Sequence, residues 1–174
     1  LYKYTLSQNN FIDLQDEICE KVLLPYKLWI EKKKKDLGIA KQNYNFDGKN
    51  KLIIVRRAVT SGLYAPGANL FTIANKIIEN GDNLIIISYA GDVDDKYLEL
   101  SQKNENCFLP ALNGKSTLDK FFEIRKLCYD YKISKIFTEI EVSTPSLVHL
   151  FGTVAEVNYI SAGFINVPWY DNHI

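Results

Sequence analysis

Glu139 and Glu141 stand two positions apart, with Ser143 and Thr144 just beyond them. On an extended backbone, residues i and i+2 point the same way. Such a pair could serve as a general base or bind hydroxyl groups. The plainer reading is a solvated edge, with Thr144 only capping a helix. A second group is the segment 60–67, in which Thr60, Ser61, Gly62, Tyr64 and Gly67 gather two hydroxyls, two glycines and an aromatic ring ahead of a helix. Backbone N–H groups in such a loop could hold an anion or a sugar hydroxyl, and a structural turn uses the same residues. A third loop, 161–166, contains Gly163. His149 reads either as a cleft residue or as a packed or surface histidine of a helix. Of the neighbours Arg56 and Arg57, one could form a local ion pair while the other approaches a phosphate.

Several familiar signatures are missing. The 60–67 loop is not GxGxxG, and no acidic residue ends the next strand to hold a ribose. Gly114-Lys115-Ser116 matches the tail of a phosphate-binding loop but lacks the glycine five positions earlier. Cys19, Cys107 and Cys128 are widely spaced among apolar residues, which predicts small buried hydrophobes in a reducing, cytoplasmic compartment. No spacing suggests a metal site.

These groups need elements to position them. Leu52 to Val55, Leu84 to Tyr89, Cys107 to Leu109, Ile133 to Ile140 and Val157 to Ile160 predict five strands, the first two continuous apolar runs suited to burial on both faces. Between them, Leu70, Ile73, Ala74, Ile77 and Ile78 mark one helical face, and a short helix starts near Asp94. Ser116 with Asp119 predicts a capped helix that buries Phe121, Phe122, Ile124, Leu127, Cys128 and Tyr131. Thr144-Pro145 predicts another helix start. Strands alternating with helices imply right-handed crossovers and a parallel sheet. The expectation is an α/β, Rossmann-like three-layer domain over 51–174, with a five-stranded parallel sheet in the order 3-2-1-4-5. Residues 1–50 read as a helical N-terminal extension and linker.

Composition narrows the functional classes. The 174 residues include 21 lysines and arginines against 21 aspartates and glutamates, for a net charge of zero. That balance argues against a nucleic-acid grip. No apolar run is long enough for a membrane span. The chain has no methionine, and it ends abruptly, which predicts a piece of a longer protein.

The strand ending near Arg57, the loop from Ser61 to Gly67 and the following helix resemble the opening of a GT-B glycosyltransferase. Ile136 to Glu139, Thr144 to Leu147 and Asn158 to Phe164 are similar to a later strand, helix and small-residue loop of that fold. The likeness spans about Lys51 to Phe164 and extends loosely to bacterial cytosolic relatives of the O-linked N-acetylglucosamine transferases. It implies an acceptor-side N-terminal domain, inactive alone, whose parent moves a sugar from a nucleotide-sugar donor to a sugar or protein acceptor. Glu139 would be the catalytic base, and Ser61, Gly62, Tyr64, Gly67, Thr144 and Gly163 would bind substrate. The resemblance implies no metal and no cofactor in this piece; the nucleotide-sugar donor would sit in a C-terminal domain beyond Ile174. Many such enzymes place a histidine in the first cleft loop, where this chain has Tyr64. The alternative is a non-catalytic Rossmann-like module for binding or regulation. A receiver would need acids where Arg56, Arg57 and Pro110 stand.

Overall fold

The computed structural model describes residues 48–61, 64–112, 116–139, 155–160 and 172–173, with Lys21, Pro25, Leu28 and Lys32 as separate positions before them. The elements are β1 (Asn50–Val55), α1 (Ala65–Glu79), β2 (Asn83–Ser88), α2 (Asp95–Lys103), β3 (Cys107–Phe108), α3 (Thr117–Asp130), β4 (Lys135–Thr138), β5 (Glu156–Tyr159) and β6 (Asn172–His173). They form one sheet in the order β3-β2-β1-β4-β5-β6, every neighbouring pair parallel. The expected α/β, Rossmann-like order 3-2-1-4-5 is therefore present. The added strand, β6, has two residues, too few to leave a periodic signal in the sequence.

Strand β1 is the centre of the sheet. Its residues Leu52, Ile53, Ile54 and Val55 are completely buried, as are Leu84, Ile86 and Ile87 of β2. A strand covered on both faces has no solvent side, so it reads as an unbroken apolar run rather than an alternating one. Each such side chain contributes about 1.5–3 kcal/mol by leaving water. Helix α1 turns Gly67, Leu70, Ala74 and Ile77 inward, the three- and four-residue steps of one helical face. Leu70 and Ala74 pack in one cluster with Ile53, Val55, Ile86 and Tyr97.

Helix α3 begins with the capping box expected of Ser116 and Asp119, each side chain accepting from the other residue's backbone N–H. It buries Ile124 and Cys128, but Phe122 and Tyr131 are exposed at 40% and 50%, against the expectation that both are buried. Among the described side chains of this helix, Ile124 and Cys128, four residues apart, mark the covered face. Cys107 and Cys128 are buried free thiols, and burial pushes their pKa values up to about 11 and about 12. Cys19, most of the N-terminal extension and the helix expected after Thr144 lie outside the described residues.

Helices α1 and α3 end in the same way. After α1, the N–H groups of Gly81 and Asp82 donate to the carbonyls of Ile78 and Ile77. After α3, those of Lys132 and Ile133 donate to the carbonyls of Tyr129 and Cys128. Both are Schellman closures, which need a left-handed residue at the first position beyond the helix cap. Gly81 (φ 77°) meets that need without strain, whereas Lys132 (φ 50°) carries a side chain into it. Gly81→Ala is expected to lower the unfolding free energy by about 1 kcal/mol, and Lys132→Gly to raise it by up to about 1 kcal/mol. Urea denaturation of the two variants checks both signs.

Candidate functional site

In an open parallel sheet, ligands collect beyond the carboxyl ends of the strands where the strand order reverses. Here the chain passes from β1 outward to β2 and β3, then returns to place β4 on the other side of β1. The crevice between the ends of β1 and β4 is that reversal point. Ile54 pairs with Thr138, so the next residues, leading to Arg56 and Glu139, bring the two strand ends together.

Glu139 is buried, 3% exposed, immediately beyond β4. Its Oε1 accepts two hydrogen bonds, from the Arg56 backbone N–H at 2.5 Å and from the Tyr64 hydroxyl at 2.5 Å. The carboxylate thus reaches across the crevice and fixes both ends of the loop that follows β1. Oε2 accepts no bond among the described residues, leaving one carboxylate oxygen for another donor. Burial above all, and then the bond to Glu139, push the Tyr64 hydroxyl pKa well above the ordinary phenol value. Tyr64 therefore stays a neutral donor throughout the physiological range.

The loop is held from a second side by Asp94. Its Oδ2 accepts from the backbone N–H and the hydroxyl of Thr60 at 2.6 and 2.8 Å, while Oδ1 accepts from the Tyr97 N–H at 3.1 Å. Asp94 is thus both the cap of α2 and a clamp on the β1–α1 loop. Burial alone would raise its pKa, but these bonds outweigh it and hold the carboxyl below the ordinary value. Backbone bonds complete the clamp: the Ala58 N–H donates to the Asp92 carbonyl and the Asp94 N–H to the Ala58 carbonyl, each at 2.9 Å.

Gly67 closes the arrangement from below. A Cβ there would lie 2.1 Å from the Val59 carbonyl oxygen, so only glycine lets α1 start this close to the loop. Its own carbonyl accepts from the buried Tyr97 hydroxyl at 2.7 Å. Burial first, then the fields of Asp94 and Glu139, raise the Tyr97 pKa far above the ordinary phenol value. The Tyr97 ring meets Phe71 edge-on at 5.0 Å. The same edge of the sheet continues into a cavity of about 330 Å³ lined by Ser88, Tyr89, Leu98, Leu109, Pro110 and Lys120, among others. There the Lys120 ammonium donates to the Tyr89 carbonyl at 2.9 Å and lies 4.4 Å from its ring centroid.

Of the residues picked out by sequence, the structure brings Glu139 and Tyr64 into direct contact and puts Gly67 beneath the same loop. Ser61 is exposed on that loop. Gly62, Thr144 and Gly163, with Glu141 and His149, lie outside the described residues. Arg57 makes the expected local ion pair, with Asp92 at 3.0 Å on the surface. Asp94 and the Arg56 backbone N–H were not legible as site groups. An acidic residue before an amphipathic stretch signals a helix cap, but nothing in the sequence ties that cap to Thr60. Among the described residues no group of three or more histidine, cysteine, aspartate or glutamate side chains could hold a metal ion, and no helix is long and apolar enough to cross a membrane.

No protein-family model matches the sequence, and no curated protein matches it. Among solved structures, the chain is similar to a glycosyltransferase from Rickettsia africae ESF-5, with 20% identity and a TM-score of 0.48. The match covers 70% of this chain and 32% of that one, so this chain spans about a third of that protein's length.

Two outcomes check the clamp. Gly67→Ala is expected to lower the unfolding free energy by about 2–3 kcal/mol; an unchanged urea midpoint would contradict the close contact. Asp94 has a lower pKa folded than unfolded, so its stabilisation is complete above the ordinary aspartate value near about 4 and is lost as pH falls through the folded value. The stability gap between the native protein and Asp94→Asn should be constant from about pH 7 to 5 and shrink below about pH 4, as urea titrations at each pH would read.

Proposed function

We propose that the chain is the acceptor-side N-terminal domain of a glycosyltransferase, whose parent moves a sugar from a nucleotide-sugar to an acceptor hydroxyl or amide. The observation that carries the reading is the buried Glu139 carboxylate at the reversal point, held through Oε1, with Oε2 accepting no bond among the described residues. In this role the acceptor O–H donates to Glu139 Oε2. As its oxygen attacks the anomeric carbon, the proton passes to Glu139 and the bond from that carbon to the nucleoside diphosphate breaks. A base held rigidly within hydrogen-bond reach supplies roughly 10²–10⁴-fold in rate.

The surrounding groups support this. Tyr64, in the N-cap position of α1, makes no side-chain capping bond, and the N-terminal end of that 15-residue helix lies at the site edge, where its dipole favours negative charge such as a leaving phosphate. Ser61 lies exposed on the same loop and would meet the acceptor. On the sequence reading, Gly62, Thr144 and Gly163 would also bind substrate. The donor would be held by the C-terminal domain of the longer protein, in a cytoplasmic setting.

The test uses the full-length parent protein and a panel of UDP- and GDP-sugars, following release of the nucleoside diphosphate with water as acceptor. Glu139→Gln keeps an oxygen for Arg56 and Tyr64 but removes the base. It is expected to cut turnover by roughly 10²–10⁴-fold with the melting temperature nearly unchanged. Turnover within twofold of the native protein, with a lower melting temperature, would make Glu139 a structural latch and favour a non-catalytic binding module.

A further inference from the structure

The opposite edge of the sheet carries a second concavity that the proposed chemistry does not use. It has a volume of about 520 Å³ and is built from the starts of β1 and β2, the turn before β3, and the end of α3. Its floor is the buried Ile85, and its apolar walls are Phe108 and Tyr131, two rings 6.5 Å apart and tilted by 43°. Both are about half exposed, at 49% and 50%. Two large rings that line one concavity and stay half in water offer an apolar contact surface to a ligand.

The rim is polar and of a particular kind. Asn50, Asn83 and Asn106 line it together with Glu105, Asp130 and Lys132. The amides are already oriented: Asn83 Nδ2 donates to Asn50 Oδ1 at 2.7 Å, Asn50 Nδ2 to the Tyr131 carbonyl at 2.6 Å, and Asn106 Nδ2 to the Asp82 carbonyl at 2.7 Å. An amide has two N–H donors and an acceptor oxygen, so Asn83 and Asn106 keep unused oxygens among the described residues. Two carboxylates against one ammonium disfavour phosphate, a nucleotide or an acidic peptide. Flat apolar faces lining one concavity with amide and carboxylate groups suit a ligand with a C–H face and a ring of hydroxyls. Lys132, the side chain held at positive φ, stands on this wall, where Gly81 takes the matching place after α1.

We propose that this cleft binds a neutral saccharide of one or two rings, its C–H face on Phe108 and Tyr131 and its hydroxyls on the asparagines, Glu105 and Asp130. The site is independent of the Glu139 edge and does not rest on the function proposed for it.

Saturation-transfer NMR of the chain with glucose, galactose, N-acetylglucosamine, maltose and cellobiose at millimolar concentration tests this. At least one sugar is expected to bind, with affinity reduced fivefold or more by Phe108→Ala and by Tyr131→Ala, reduced by Glu105→Gln, and unchanged by Lys103→Ala on the exposed surface of α2. Binding of no sugar in the panel would overturn the proposal, as would binding that Glu139→Gln alone weakens. So would a fall of several degrees in melting temperature for both ring variants without loss of sugar binding, which would assign the rings to packing.

Discussion

The complete burial of β1 is the constraint on which the rest depends. A central strand gives its backbone groups to β2 on one side and β4 on the other, and its side chains to layers on both faces. Where it leaves the sheet, its next polar groups still need partners, because buried N–H and C=O groups are costly to leave unmade. The Arg56 N–H emerges where β4 has already ended, and a side-chain oxygen of Glu139 takes the place a strand carbonyl would have filled. On the other flank, the Tyr89 and Ala90 N–H groups donate to the Val55 and Arg56 carbonyls. The carboxylate is at the reversal point because the sheet's own hydrogen bonding requires an acceptor there.

That requirement explains which parts were legible in the sequence. Elements defined by neighbours in the chain could be read directly: the apolar runs of β1 and β2, the face of α1, and the reciprocal cap of Ser116 and Asp119. The parallel sheet followed from the alternation of strands and crossover helices, and its order from the Rossmann-like pattern. The site contacts could not be read this way. Arg56 and Glu139 are separated by 83 residues, Tyr64 and Glu139 by 75, and Thr60 and Asp94 by 34. Only the finished sheet brings them together. Glutamate at a strand end reads as solvated from composition alone, and a turn glycine such as Gly67 does not announce that a carbonyl will fill the space beside it. Phe122 and Tyr131 mislead for a related reason, since helical periodicity does not say how wide a stripe the partner covers.

The two ends of the sheet differ in kind. At the carboxyl ends of the strands, carboxylates, hydroxyls and amides of the loops are paired with one another, and glycine is used where backbones crowd. Around the opposite cavity, two aromatic rings stay half in water beside asparagine amides already bonded to one another and to backbone carbonyls, with a lysine in a backbone conformation that glycine would adopt more readily. Tightly satisfied groups suit a site that must hold one geometry. Open groups on short strand ends suit recognition that tolerates several ligands.

The outermost strands of the described sheet, β3 and β6, are each two residues long. A longer flank would offer a row of unpaired donors and acceptors on which a strand of another molecule could add. Pro110, two residues after β3, has no N–H to extend that row. At the β3 flank, the apolar, β-rich centre that makes this fold possible is thus shielded from templated aggregation by the brevity of its margin, and lengthening that strand would turn the same hydrophobic strands into a liability.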